Sequence, residues 1–393
     1  GWRRVPFIWR GTLLQFGGFA IMPFALLVLA GKGESGMLPV WVGQLSAGLA
    51  FLLVGAGVHT VQTAGLALAT DLTPAESHPK VVGLMYVMLL IGMIVSALVF
   101  GAVLVDFSPG RLVQVIQSAA LVTMLLNGVA MWKQETRRST RGVVPAAQDP
   151  TFRESWLKFC EGDDTIRRLV IVGLGTMAFG MADILLEPFG GHVLHLSVSA
   201  TTKLTALFAV GGLFGFGLAA KVIGRGADPY VIARNGALIG LPAFALVMLA
   251  APLQLPILFL VGNFLIGFGG ALFGHGTLTA TMNRAPKAQA GLALGAWGAV
   301  QATAAGIGMA MSGAIRDLVD AWRGATAPAG AAADGAYGYM TVYAIEITLL
   351  IATVLVTLPL IRRAVAKTIN AAGLTPAGKV CVNVVDCGDG RVA

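Results

Sequence analysis

Apolar residues gather along this chain into ten long blocks: Phe7–Gly31, Leu38–Thr70, Val81–Val105, Leu112–Met131, Leu169–Phe189, Thr205–Ile223, Val231–Ala251, Ile257–Met282, Gly291–Ile315 and Tyr339–Ile361. A helix needs roughly 20 apolar residues to cross a bilayer core, and each block meets that requirement. Short strands of alternating polarity, the mark of a membrane β-barrel, do not occur. The pattern predicts an all-α polytopic membrane protein with ten crossing helices.

The polar stretches between the blocks set an orientation. With the first residues placed in the cytoplasm, 22 of the 27 Lys and Arg fall on the cytoplasmic side and five on the other, the bias that the positive-inside rule describes. Both termini are then cytoplasmic. Composition narrows the class further. Hydrophobic residues make up 56% of the chain and charged residues 12%, about half the charge of a soluble domain, so a soluble fold and a disordered chain are both excluded. Three cysteines cannot build a disulfide scaffold. The net charge of +8 is scattered over segment ends rather than collected in a basic patch with aromatics, which argues against a nucleic-acid partner. No Walker loop is present. The run Gly211–Gly215 lies within an apolar block, where close helix packing explains glycine better than a dinucleotide does. With no nucleotide site, no free metal site and no nucleophile–base constellation, no enzyme is predicted.

The longest polar stretch, Lys133 to Arg168, divides the chain. It suggests a bundle of four helices over 1–132, a cytoplasmic connector over 133–168 with an amphipathic run Phe152–Lys158, a bundle of six over 169–366, and a flexible cytoplasmic tail over 367–393. A faint internal repeat relates the halves. Gly1-Trp2-Arg3-Arg4 aligns with Gly224-Arg225-Gly226, so the first block matches the seventh. Gly57-Val58-His59-Thr60 aligns with Gly274-His275-Gly276-Thr277, and Gly83-Leu84 with Gly291-Leu292. On this reading the first half lacks two helices, and its four correspond to helices 3–6 of an expected twelve.

Two six-helix halves joined by a cytoplasmic loop resemble the major facilitator superfamily. Its loop signature after the second helix fits Gly217, Gly224 and Arg225 in the second half, with Arg3 and Arg4 as the tail of the first copy. Lys221 and Val222 stand where the superfamily has an acidic–basic pair. Two longer stretches carry a closer resemblance. One runs from Gly55 through His59, Gln62 and Asp71 to Pro74; the other from Asp183-Ile-Leu-Leu-Glu187-Pro188-Phe-Gly-Gly to Ser199-Ala-Thr-Thr-Lys203. Both resemble the PucC/LhaA family of phototrophic bacteria over Gly1 to about Ala366. That resemblance implies an assembly factor for light-harvesting antenna complexes, which holds or delivers bacteriochlorophyll in the bacterial inner, intracytoplasmic photosynthetic membrane. The implied partners are antenna polypeptides, bacteriochlorophyll or the machinery that makes it, and membrane lipid. A proton-coupled secondary transporter is the rival reading.

Ionisable residues inside membrane blocks are costly and are candidates for function. His59 has Gln62 and Thr63 three and four residues on, hence on its own helix face. A neutral imidazole can ligate a chlorophyll magnesium while its other N–H bonds a second partner; the alternative is a packing histidine. The repeat extends the same two readings to His275. Asp183 and Glu187, spaced i, i+4, read as a proton or cation site, a weak magnesium ligand, or an interfacial carboxylate pair. Pro188-Phe189-Gly190-Gly191 is expected to end that helix, leaving His192 and His195 in a solvated loop. Glu346 either faces a cavity or pairs across helices. Asp71 reads as a cap or an interhelix latch.

Overall fold

The computed structural model describes residues 4–29, 39–74, 78–135, 152–162, 164–284, 290–326 and 336–371. Arg3, residues 136–151 and 163 of the predicted connector and residues 372–393 of the predicted tail lie outside the described residues, while the last helix runs five residues into the predicted tail, to Ala371. Among the described residues there is helix and no strand, and ten helical stretches are long and apolar enough to cross a membrane. These are α1 (Val5–Leu29), α2 (Val40–Asp71), α3 (His78–Val103), α4 (Pro109–Ala130), the broken pair α6 (Thr165–Asp183) and α7 (Leu186–His192), α8 (Val198–Gly224), α9 (Pro229–Leu253), α10 (Pro256–Arg284), α11 (Ala290–Thr326) and α12 (Tyr337–Ala371). The short α5 (Phe152–Cys160) forms over the amphipathic run before α6, with the rings of Trp156 and Phe159 5.8 Å apart.

Local chemistry explains where several helices start. Ser108 accepts from the Arg111 amide at 3.1 Å with Pro109 in the first turn of α4, and Asp228 accepts from the Tyr230 amide at 2.8 Å ahead of Pro229 and α9. Each side chain satisfies an amide that has no intrahelical partner, and proline costs nothing there. Ser197 accepts from the Ala200 amide at 3.2 Å, so α8 begins seven residues before its apolar block.

Two predicted boundaries are corrected. The fifth block is not one helix: it breaks at Ile184–Leu185, and Pro188-Phe189-Gly190-Gly191 continues as α7 rather than ending the helix. Pro188 is the third residue of α7, where its missing N–H would have had no helical acceptor anyway. The ninth block runs on past Ile315 to Thr326. Polar residues carry that extension, with Arg316 and Asp320 paired one turn apart at 3.5 Å, a spacing that supports exposed helix.

Two compact units account for the packing: Gly1–Asp149 with Ser197–Ala206, and Pro150–Leu196 with Leu207–Ala393. The second predicted bundle therefore cedes the opening turns of α8 to the first unit. There Ser199 donates to the Gly101 carbonyl of α3 at 2.6 Å, and the Lys203 stem lies against Gly101. Within the first unit, α1 is held by α2 and α4. Val5, Ile8, Ala64, Leu68 and Met131 form a cluster, and Asn127 of α4 donates to Thr12 of α1 at 3.0 Å.

Glycines decide the closest helix contacts. A Cβ on Gly57 of α2 would stand 2.5 Å from the Gly11 carbonyl of α1, and one on Gly18 of α1 would stand 2.7 Å from the Ala50 carbonyl of α2. The second unit repeats the device. A Cβ on Gly236 of α9 would stand 2.5 Å from the Gly269 carbonyl of α10, and one on Gly269 would stand 2.8 Å from the Gly236 carbonyl. In lipid, where apolar surface gives helices no reason to associate, such backbone approach supplies much of the attraction. These are the same two pairs, first with second and seventh with eighth, that the repeat aligns. An aromatic core fills the second unit: the Phe189 ring of α7 lies 5.5 Å from each of the rings of Phe259, Tyr339 and Tyr343.

Candidate functional site

His59 occupies the α2 face turned away from the glycine seam. Gly57 points at α1, and two residues on along a helix is a rotation of about 200°. His59 is accordingly exposed, as are Ala56, Gln62 and Thr63 on its side of the helix. Small residues one turn earlier leave level ground beside the imidazole: Ala56 is exposed, and a Cβ added at Gly55 would meet nothing within 4 Å. Around them stand the exposed apolar side chains of Phe51, Leu52 and Val58.

His275 has a different setting. It is half-buried on α10, its ring 4.3 Å from that of Phe216 on α8 and edge-on to it. Nδ1 is enclosed and has no hydrogen-bond partner among the described residues, so the second partner expected of a ligating histidine is missing at that nitrogen. Gly276 beside it faces α9, where a Cβ would stand 2.7 Å from the Pro229 carbonyl. One residue is a rotation of about 100°, so the two histidines do not occupy equivalent places about their helix pairs. The repeat matched the Gly–His words rather than the glycines that face the neighbouring helix.

Asp183 ends α6 and is exposed; Glu187, half-buried, follows in the first turn of α7. The break at Ile184–Leu185 lies between them, so they do not share one continuous helix face. His192 closes α7 as a helical residue, with Nδ1 3.1 Å from the Tyr339 hydroxyl. His192 is helical rather than in a loop, and it is exposed. His195 is exposed, with a left-handed φ of 54°. Glu346 of α12 is 0% exposed, and neither carboxyl oxygen has a partner among the described residues. Among the described residues it neither faces open space nor pairs across helices, unlike either expectation.

The loop residues divide. Gly217, Gly224 and Arg225 are exposed, and a Cβ at either glycine would meet nothing within 4 Å. Arg4 is engaged: its Nε donates to Asp71 at 3.0 Å, which makes Asp71 a latch between α2 and the start of α1. Glu135, which no motif singled out, accepts from the Arg4 amide at 2.9 Å and from the Val5 amide at 3.1 Å. A carboxylate on the first amides of α1 satisfies orphan donors and complements the helix dipole. Some 130 residues separate the partners, so local spacing carries no trace of the pairing. Among the described residues no three of His, Cys, Asp or Glu converge on a metal position. A ligand that brings its own metal and needs one axial donor is what a lone exposed imidazole can serve.

Comparison with known proteins places these features in a lineage. The PUCC protein family matches residues 1–365. The PucC protein of Rhodovulum sulfidophilum is 59% identical over 331 residues, 84% of this chain and 73% of that protein. The bacteriochlorophyll synthase 44.5 kDa chain of Rhodobacter capsulatus is 26% identical over 317 residues, 78% of this chain and 71% of that protein. Among solved structures, a bacterial homologue of the iron transporter ferroportin in an inward-facing state superimposes with a TM-score of 0.61 at 14% identity, over 91% of this chain and 82% of the other. At that identity the likeness shows the fold alone, and the fold is the major-facilitator-like one expected.

Proposed function

This chain belongs to the PUCC family, and from that premise we propose that it is an assembly factor for photosynthetic light-harvesting antenna complexes, acting in the photosynthetic membrane by presenting bacteriochlorophyll to antenna polypeptides. The observation that carries the pigment part is the exposed His59 on an uncovered apolar face of α2, with Gln62 on the same side. A relative whose name carries bacteriochlorophyll supports the same chemistry.

The residues suit a flat, apolar macrocycle with a central metal. Were bacteriochlorophyll bound here, His59 would hold its magnesium. The His59 imidazole has a lone pair for that role and, among the described residues, no competing partner on its face. Gly55 and Ala56 leave room for a planar ring to lie close to the helix. The Gln62 amide, one turn away, has donors for a carbonyl at the ring edge. An exposed site also fits delivery. A pigment held on this exposed face of α2 would leave without passing through the packed seam between α1 and α2.

The test is to purify the protein in mild detergent from pigment-producing cells, free of antenna polypeptides, and record its absorption from the visible to the near-infrared. A bacteriochlorophyll band should co-elute at fixed stoichiometry. His59→Ala should lower pigment occupancy about tenfold, the effect of losing roughly 1.4 kcal/mol of ligation, while elution volume stays unchanged. A colourless wild-type protein would end the pigment reading, and unchanged occupancy in His59→Ala would end the role of His59.

A further inference from the structure

Glu346 stands nine residues into α12, about 14 Å along the helix axis from Tyr337. Helices α6, α9 and α11 pack around α12. The residue is fully buried and both oxygens lack any partner among the described residues. One turn earlier on the same face, Tyr343 is also fully buried, its hydroxyl likewise without a partner. Its ring is closed in by Phe189, and by Phe244 at 6.3 Å.

The charged residues of the surrounding helices are engaged, exposed or enclosed elsewhere; on α7, whose Phe189 ring lies against Tyr343, Glu187 is half-buried and His192 meets the Tyr339 hydroxyl. Arg167 of α6 pairs with Asp164 at 3.0 Å, and Asp183 at the far end of α6 is exposed. Arg168 of α6 has an enclosed Nε with no partner. Arg234 of α9 bonds Asn235 at 3.0 Å. Arg316 of α11 pairs with Asp317 and Asp320, and Arg323 lies over the Tyr337 ring. Among the described residues none of these cations pairs with Glu346. An ionised carboxylate enclosed with neither counter-charge nor donors is so unfavourable that the group neutralises instead. Ionisable residues retained at such depth mark ion or proton sites.

We propose that Glu346 is a proton-binding site: it holds a proton in this packing of α6, α9, α11 and α12, and releases it only when these helices part and water reaches the carboxyl. The proposal does not depend on the pigment reading, and it needs no transported solute. Binding adds one proton to a carboxylate oxygen and release returns it to water.

The sign of the pH effect follows. An exposed glutamate ionises near pH 4.3 or so, so above that pH the unfolded chain has given up a proton that the folded chain keeps. The folded state therefore loses stability as pH rises, by about tenfold in the unfolding constant per unit. Glu346→Gln, of the same shape and without a charge, lacks that slope. Unfolding in mixed micelles with sodium dodecyl sulfate, at pH 5 to 8, should show Glu346→Gln gaining on the wild type as pH rises, by up to about tenfold per unit. Parallel pH dependences in the two proteins would overturn the proposal. Infrared spectra of the wild type at pH 7 give a readout that stands even if the variant fails to fold. A protonated carboxyl C=O band should be present and should persist in Asp183→Asn. Its absence from the wild type, or its loss in Asp183→Asn, would overturn the assignment.

Discussion

Replacing Gly57 with alanine tests whether the glycine seam holds the first unit together. The added methyl would stand 2.5 Å from the Gly11 carbonyl, 2.6 Å from Gln15 Cγ and 2.7 Å from the Gln15 amide. Ordinary contact begins at 3.4 Å, so α1 and α2 must part by roughly 0.9 Å, a gap that forfeits a quarter to a half of the dispersion energy across it. Two of the three obstacles are backbone atoms and cannot rotate away, which puts the cost near the top of the 1–3 kcal/mol range for overpacking, about 3 kcal/mol. Alanine returns about 1 kcal/mol of helix propensity, leaving a net loss of about 2 kcal/mol. Gly55→Ala, two residues away with nothing within 4 Å, keeps the propensity gain and has no clash, so it should stabilise by about 1 kcal/mol. The assay is unfolding in mixed micelles, comparing the two variants side by side. The double variant Gly11→Ala/Gly57→Ala should cost less than the two single changes combined, because the helices part only once. Equal stability for Gly57→Ala and Gly55→Ala would refute the reasoning.

Two further outcomes follow from the polar contacts of the first unit. Asp71→Asn should cost under about 1 kcal/mol, because its pair with Arg4 is partly exposed, whereas Glu135→Gln should cost about 1–2 kcal/mol, because it removes a charged cap from the first amides of α1; the same unfolding assay ranks them, and the reverse order would discredit the capping role. The bond from Asn127 to Thr12 should show a coupling of about 0.6 kcal/mol in a cycle of Asn127→Leu and Thr12→Val, the average for interhelical bonds in a membrane protein.

Hydropathy alone located all ten crossing helices, since a bilayer imposes one length and one polarity on every span. It could not place ends that polar chemistry sets. The last turns of α11 carry Arg316, Asp317, Asp320 and Arg323, so an apolar window stops at Ile315 although the helix continues. Pro188 reads as a terminator because position along a helix, which decides whether proline is tolerated, is invisible until the break at Ile184 is known. The intramembrane histidines were legible as polar residues in costly places, but their angle about the helix depends on which glycines face the neighbouring helix. Glu135 and the cap it forms were illegible, because contact across such a sequence separation depends on the fold. The burial of Glu346 was in between: its apolar neighbours were evident, its lack of any partner was not.

The two seams also bear on the order in which the protein is made. Each joins helices that are neighbours in sequence; α9 and α10 are separated only by Gln254 and Leu255. A pair so closely linked meets at small entropic cost and relies on local contacts, the kind that form fastest. Each hairpin can close as its second helix enters the bilayer, before later helices have been synthesised. A glycine face left open in lipid would be free to associate with any passing helix. Early closure leaves no glycine face open to other helices, and it means that a seam variant should betray itself first in the yield of inserted protein.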